Sequence, residues 1–185
     1  MLEQERECSF NLMNYFDEMR KSMNYLAKNK KTIFIGQAVA VPGTTMSRTL
    51  TEIDSKKLIE LPVAEEMQMG ITTGLALNGD IPISIYPRWN FLLLAMNQLI
   101  NHLDKIPLLT KNKFQPKIII RVIVGANKPL NAGLQHTQDY SSFLKNSLHT
   151  VNLYKLNSAS DIKKYYNQAL KSKFSSILVE YTEKY

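Results

Sequence analysis

Leu12, Phe16, Met19, Met23 and Leu26 recur at alternating steps of four and three, one apolar stripe along an amphipathic helix, and predict a core-facing helix over residues 9–28. The run that follows, Thr32-Ile-Phe-Ile-Gly36, is short, apolar and β-branched and stops at glycine, so it reads as a buried strand. Residues 58–61, 81–86, 117–124, 151–154 and 176–180 repeat that signature. Between them, residues 64–77, 91–105, 139–146 and 161–172 have helical composition, and the last carries Ile162, Tyr165, Tyr166, Ala169 and Leu170 on one face.

Strands alternating with helices predict a doubly wound α/β fold, a mainly parallel sheet with helices on both faces. Residues 118–124 are apolar at every position except Arg121, as expected of a central strand covered on both sides. In such sheets ligands bind beyond the carboxyl ends of the strands, which directs attention to the segments after Leu61, Tyr86 and Val124. At 185 residues, with no internal repeat or linker, the chain reads as a single domain over 1–185.

Composition narrows the classes. With 44% hydrophobic and 21% charged residues the chain is neither fibrous nor disordered. Its apolar run at 91–96 is far shorter than the ~20 residues a membrane helix needs. Residues 1–7 are polar and acidic and read as neither a secretory nor a transit signal, so a cytoplasmic location is the expectation. The formal charge of +7 is spread over lysines without interleaved aromatics, which argues against nucleic acid as the partner. One cysteine, Cys8, and three scattered histidines, His102, His136 and His149, lack metal-ligand spacing, so no protein-only metal site is expected. His102 is expected to be a hydrogen-bonded structural residue.

Three stretches carry candidate chemistry. In Glu60-Leu-Pro-Val-Ala-Glu-Glu-Met-Gln-Met-Gly70, Pro62 marks the start of a helix with Glu65 and Glu66 in or near its first turn. Acidic groups there offset the helix dipole whatever else they do. Gly70 and Gly74 lie on one face of that helix and imply close packing by a neighbouring helix or a partner subunit. Tyr86-Pro-Arg-Trp-Asn-Phe91 ends a strand with aromatics for a core or for stacking on a planar ligand, and Arg88 for an anion. Asn131-Ala-Gly-Leu-Gln-His-Thr-Gln138 lies in a loop beyond the central strand, where His136 is either inert or a proton carrier. Gly-x-Gly-x-x-Gly, Walker and Gly-x-Ser-x-Gly patterns are absent.

Taken in order, Leu-Pro-Val-Ala-Glu65 with Gly70, Gly74 and Gly79, then Tyr-Pro-Arg-Trp-Asn-Phe91, then Ala-Gly-Leu-Gln-His136-Thr-Gln resemble the first domain of the pyruvate dehydrogenase beta subunit. More broadly the chain is similar to the pyrimidine-binding domain of transketolase-like thiamine diphosphate enzymes, from the first helix to Leu178-Val-Glu-Tyr181. The resemblance implies thiamine diphosphate as cofactor, whose aminopyrimidine, in its imino form, generates the thiazolium ylid. It makes Glu65 the carboxyl that drives that switch, with Phe91 stacking on the pyrimidine and Tyr86 and Pro87 lining the pocket. His136 would then serve on the substrate side as a catalytic group, with Gln135 and Arg88 as substrate-binding neighbours.

Departures from the family shape the expectation further. Gln37-Ala38 follows Gly36 where the family often has acidic residues. Pro87-Arg88-Trp89 replaces a common Met-Thr-Phe, adding positive charge and pointing to an acidic substrate. Gly79-Asp80-Ile81 is not the family's metal-diphosphate motif, and the family's second domain is not found up to Tyr185. The resemblance therefore implies an alpha-like partner chain that supplies magnesium and the diphosphate half-site. The expected activity is decarboxylation of a 2-oxo acid or transfer of a two-carbon unit; the alternative is a non-catalytic truncated homologue acting in assembly or regulation.

Overall fold

The computed structural model describes residues 2–128 and 131–185, with side chains from Tyr15 onward. The side chains of Cys8 and Leu12, and part of the loop leading to His136, lie outside the described residues.

Six strands form one sheet: β1 (Thr32–Gly36), β2 (Leu58–Glu60), β3 (Ile81–Tyr86), β4 (Ile119–Val124), β5 (Asn152–Lys155) and β6 (Ser176–Tyr181), in the order β2-β1-β3-β4-β6-β5. Every pairing is parallel, so the expected doubly wound architecture holds. The helices are α1 (Leu2–Ala27), α2 (Thr45–Arg48), α3 (Glu65–Leu77), α4 (Trp89–Leu93), α5 (Ile106–Leu109), α6 (Ser141–Ser147) and α7 (Ala159–Lys171).

The pleat sorts β4 onto two cores. Ile119 and Ile123 face the layer of α1 and α7, where Met19, Met23, Leu26, Ile162 and Tyr166 are buried. Each fully buried aliphatic contributes roughly 1.5–3 kcal/mol. Ile118, Ile120 and Val122 face the other layer with Met69, Trp89, Leu92, Leu99 and Leu103. Arg121 falls on the α1 side and is fully buried. Across the β4–β6 pairing its Nε donates to Glu180 Oε1 at 2.6 Å and its Nη2 to Oε2 at 3.0 Å. Tyr166 and Tyr185 hydroxyls also donate to that carboxylate. Burial alone would lower the Arg121 pKa, but Glu180 outweighs it and the guanidinium stays charged.

One predicted helix is corrected. Residues 91–105 do not form a continuous α-helix: α4 begins at Trp89, and Asn97–Leu103 is a π-helical segment in which Asp104 N–H reaches back five residues to the Leu99 carbonyl. The wider turn still places Leu99 and Leu103 in the core. His102, on the same segment, is exposed and makes no side-chain hydrogen bond among the described residues, so it is not the bonded structural residue expected. Among the described residues no helix is long and apolar enough to cross a membrane.

Candidate functional site

The chain leaves β1 for β2 on one side of the sheet, while β3 pairs on the other, so the order reverses between β1 and β3. Such a reversal opens a crevice at the carboxyl ends of the strands. Gly36 pairs with both Glu60 and Ile85, which sets the three strand ends level there.

Glu65 is the first residue of α3 and 3% exposed. Pro62 keeps the preceding chain extended, and Ala64 occupies the cap without a side-chain bond. Glu65 therefore belongs to the first turn of α3, where the helix dipole favours negative charge. Gln37, just beyond β1, donates Nε2–H to Glu65 Oε1 at 3.0 Å; Glu65 Oε2 has no hydrogen-bond partner among the described residues. Glu66, one position on, is exposed, with only a 3.5 Å contact from Gln98. Burial thus separates two carboxylates that spacing alone leaves equivalent.

The floor beneath Glu65 is polar and closely packed. Tyr86 is fully buried, and its hydroxyl lies 3.4 Å from the Glu65 carbonyl. Burial, partly offset by Ser84 and reinforced by the Glu65 charge, pushes the Tyr86 phenol up, so it remains a neutral donor. Gln68, one turn along α3, donates to Ser84 Oγ at 3.1 Å and to the Ile85 carbonyl at 3.0 Å, while its own Oε1 is buried without a partner. A Cβ at Gly36, which has φ +154°, would collide with the Ile85 carbonyl, so only glycine lets β1 end this close to β3.

A second group gathers beyond β3 and β4. The Gly125 N–H donates to the His136 carbonyl at 2.9 Å, and a Cβ at Gly125 would strike that carbonyl. The His136 Nδ1 lies 2.9 Å from Asn90 Oδ1. An amide oxygen accepts, so Nδ1 carries the proton and Nε2 is left as the basic nitrogen. Phe91, partly buried, sets its ring 6.0 Å from the imidazole. Asn90 and Phe91 are consecutive residues in the first turn of α4, and both contact His136.

Of the remaining sequence candidates, Pro87 is half-buried and accepts from Arg88 Nη1 through its carbonyl at 2.8 Å. Arg88 has no carboxylate partner among the described residues, and burial lowers its guanidinium pKa. Gln135 is exposed. Trp89 is core, edge-on to Tyr140 at 6.3 Å. The structure thus joins Glu65 with Gln37 and Tyr86, and His136 with Phe91. Gln68 and Asn90 are contributors that sequence reading did not single out, although each sits inside a stretch already marked, Glu60 to Gly70 and Tyr86 to Phe91.

Gly70 and Gly74 have no described atom within 4 Å of a would-be Cβ, so the close packing that they imply is not supplied by these residues. Val63, Met67, Ile71 and Leu77 are exposed along the same helix and its approach.

No family model matches the chain. Among curated proteins it is 30% identical over 135 residues to a pyruvate dehydrogenase E1 component subunit beta of Gracilaria tenuistipitata var. liui, covering 70% of this chain and 41% of that one. It is 24% identical over 139 residues to a 2-oxoisovalerate dehydrogenase subunit beta of Bacillus subtilis, covering 73% and 42%. The chain spans about half or less of the length of the curated relatives it matches. Among solved structures, a split-gene transketolase described as an inactive beta4 tetramer superposes with a TM-score of 0.69 at 14% identity, over 89% of this chain and 50% of that one. A transketolase from Campylobacter jejuni gives 0.72 at 14% identity, over 90% and 25%. The chain is therefore a homologue of the pyruvate dehydrogenase E1 beta subunits and has the fold of a transketolase-like pyrimidine domain.

Proposed function

We propose that this chain is the beta-like subunit of a split thiamine diphosphate enzyme that decarboxylates a 2-oxo acid or transfers a two-carbon unit, residues 1–185 forming its pyrimidine domain. The observation that carries the reading is Glu65: a carboxylate 3% exposed at the sheet's switch point, one oxygen held by Gln37 and the other without a partner among the described residues. That free oxygen suits a ring nitrogen of a flat heterocycle. The partly buried Phe91 ring and the orphaned Gln68 Oε1 are further features that fit such a group.

When bound, thiamine diphosphate supplies an ylid generated by its own aminopyrimidine. Glu65 would hold and share a proton at Oε2, while Gln37 fixes the carboxylate's rotamer through Oε1. Tyr86 supports the first turn of α3 from below, Phe91 offers a stacking face, and Pro87 lines the break between them. On the substrate side, His136 presents Nε2 as the proton-accepting nitrogen because Asn90 occupies Nδ1. Arg88, half-buried and without a carboxylate partner among the described residues, and the exposed Gln135 would meet a negatively charged substrate.

On this reading magnesium and the diphosphate are held by an alpha-like partner. The open face at Gly70 and Gly74, flanked by Met67 and Ile71, is the surface offered to that partner. The structural neighbour described as an inactive beta4 tetramer gives a precedent for beta chains that assemble without activity. A non-catalytic assembly subunit is the second reading, favoured by Gln37 standing where an acidic residue is common. Co-expression with an alpha-like chain tests the two: the catalytic reading expects a complex that binds thiamine diphosphate only with magnesium, and a complex that never binds it supports the second.

A further inference from the structure

The backbone leaving β1 is wrapped around a single side chain. Glu60, the last residue of β2, turns its carboxylate onto four successive N–H groups: Ala38 at 2.6 Å to Oε1, then Val39 at 2.9 Å, Ala40 at 2.7 Å and Val41 at 3.3 Å to Oε2. Consecutive N–H groups converging on one anion form a nest, an arrangement that is held open by peptide repulsion unless a negative charge fills it. The local conformation carries the cost: Ala38 has φ +51°, a left-handed backbone that a non-glycine residue adopts only when its surroundings compensate. Charge-assisted hydrogen bonds of this kind are roughly twice as strong as neutral ones, so the carboxylate is well matched to that task.

What the nest holds is more telling than the nest. Gln37 lies between Gly36, which is locked against Ile85, and Ala38, which is locked by Glu60, so both ends of its backbone are fixed. Its amide is then delivered to Glu65 Oε1 at 3.0 Å. Glu60 itself is exposed and its contacts are all to backbone, so it lies outside the contacts to Glu65.

We propose that Glu60 is a positioning residue: its carboxylate orders residues 38–41 so that Gln37 holds one oxygen of Glu65 and leaves the other free. This rests on the reading of Glu65 given above for its functional meaning, but the coupling from Glu60 to Gln37 stands on geometry alone. A neutral amide at position 60 keeps one acceptor, loses the charge and places an NH₂ among donors, so Glu60→Gln weakens the nest with little change of shape. Glu60→Asp retains the charge.

The test uses the full chain, with NMR of the Gln37 side-chain amide, assigned by its disappearance in Gln37→Ala, and hydrogen exchange at residues 38–41. Glu60→Gln is expected to return the Gln37 amide signals to solvent-like positions and to raise exchange at 38–41 at least tenfold, while β3 and β4 amides are unchanged. Glu60→Asp is expected to retain most of the wild-type Gln37 signature, which a purely steric role would not produce. In the complex, Glu60→Gln combined with Gln37→Ala should lower kcat no more than Gln37→Ala alone. A Gln37 amide that is unmoved by Glu60→Gln, or effects on kcat that multiply in the double variant, would overturn the proposal. If Glu65→Gln turned over normally, the catalytic reading would fall while the NMR result still decided the coupling.

Discussion

Gln37 and Glu65 meet across 3.0 Å although they follow different strands, beside the point where the strand order reverses. A neutral donor on one oxygen leaves the carboxylate with a single free face. Gln37→Glu places a second carboxylate there. Like charges at that distance resist joint ionisation. The expected outcome is weaker thiamine diphosphate binding or an altered pH profile of kcat in the complex, with the chain still folded; both are read by titration calorimetry and steady-state kinetics.

Asn90 acts on the other half of the site. Removing its amide oxygen in Asn90→Ala frees the His136 ring to rotate and to exchange tautomers. A positioned acid–base group contributes about 10²–10⁴-fold, of which orientation is a part, so kcat should fall by roughly tenfold or more with KM for cofactor unchanged. Unchanged kcat would place His136 outside the chemistry.

Arg88→Thr addresses substrate charge. A half-buried guanidinium that meets an anion is worth on the order of 1.5–3 kcal/mol per charged hydrogen bond. The variant should lose about tenfold or more in kcat/KM for 2-oxo acids with a second negative group, and little for those with neutral side chains. A panel of both kinds, assayed side by side, reads the ratio.

The buried pair Arg121–Glu180 is structural. Removing one partner leaves an unpaired charge between α1 and the sheet, so Arg121→Met or Glu180→Gln should each cost about 3–5 kcal/mol in urea unfolding. The double replacement Arg121→Met with Glu180→Leu should be less damaging than either single change, because no charge is then stranded.

Asp104 supplies a pH dependence. Its carboxylate is buried beneath Lys105 and the N–H groups of residues 149–151. Burial raises its pKa, but Lys105 and the backbone donors outweigh that and hold it at about 2. The folded value lies below the unfolded one of about 3.9, so its stabilisation is complete above about pH 4 and is lost as pH falls through about 2. Acid titrations of stability should flatten over that window in Asp104→Asn.

Much of this architecture was legible from periodicity. β1 and β3 have the boundaries expected, because buried parallel strands are mostly apolar runs, here ending at Gly36 and before Pro87. The helix expected after β3 departs from the α repeat because a π turn changes the repeat without changing composition. Arg121 stood out as polar within a central strand, yet its partner lies 59 residues away and becomes visible only through the β4–β6 pairing. Glu65 and Glu66 were indistinguishable by spacing; the family resemblance chose Glu65, and burial distinguishes the two. Glu60 could not be anticipated, since its ligands are backbone N–H groups that leave no trace in residue identities.

The central claim is met most directly by turnover of the Glu65→Gln complex, measured alongside cofactor affinity and assembly. The account predicts that the subunits still associate and that activity falls by at least a hundredfold, because an amide cannot hold and release the proton. Activity within a few-fold of wild type in a correctly assembled, cofactor-loaded complex would contradict it.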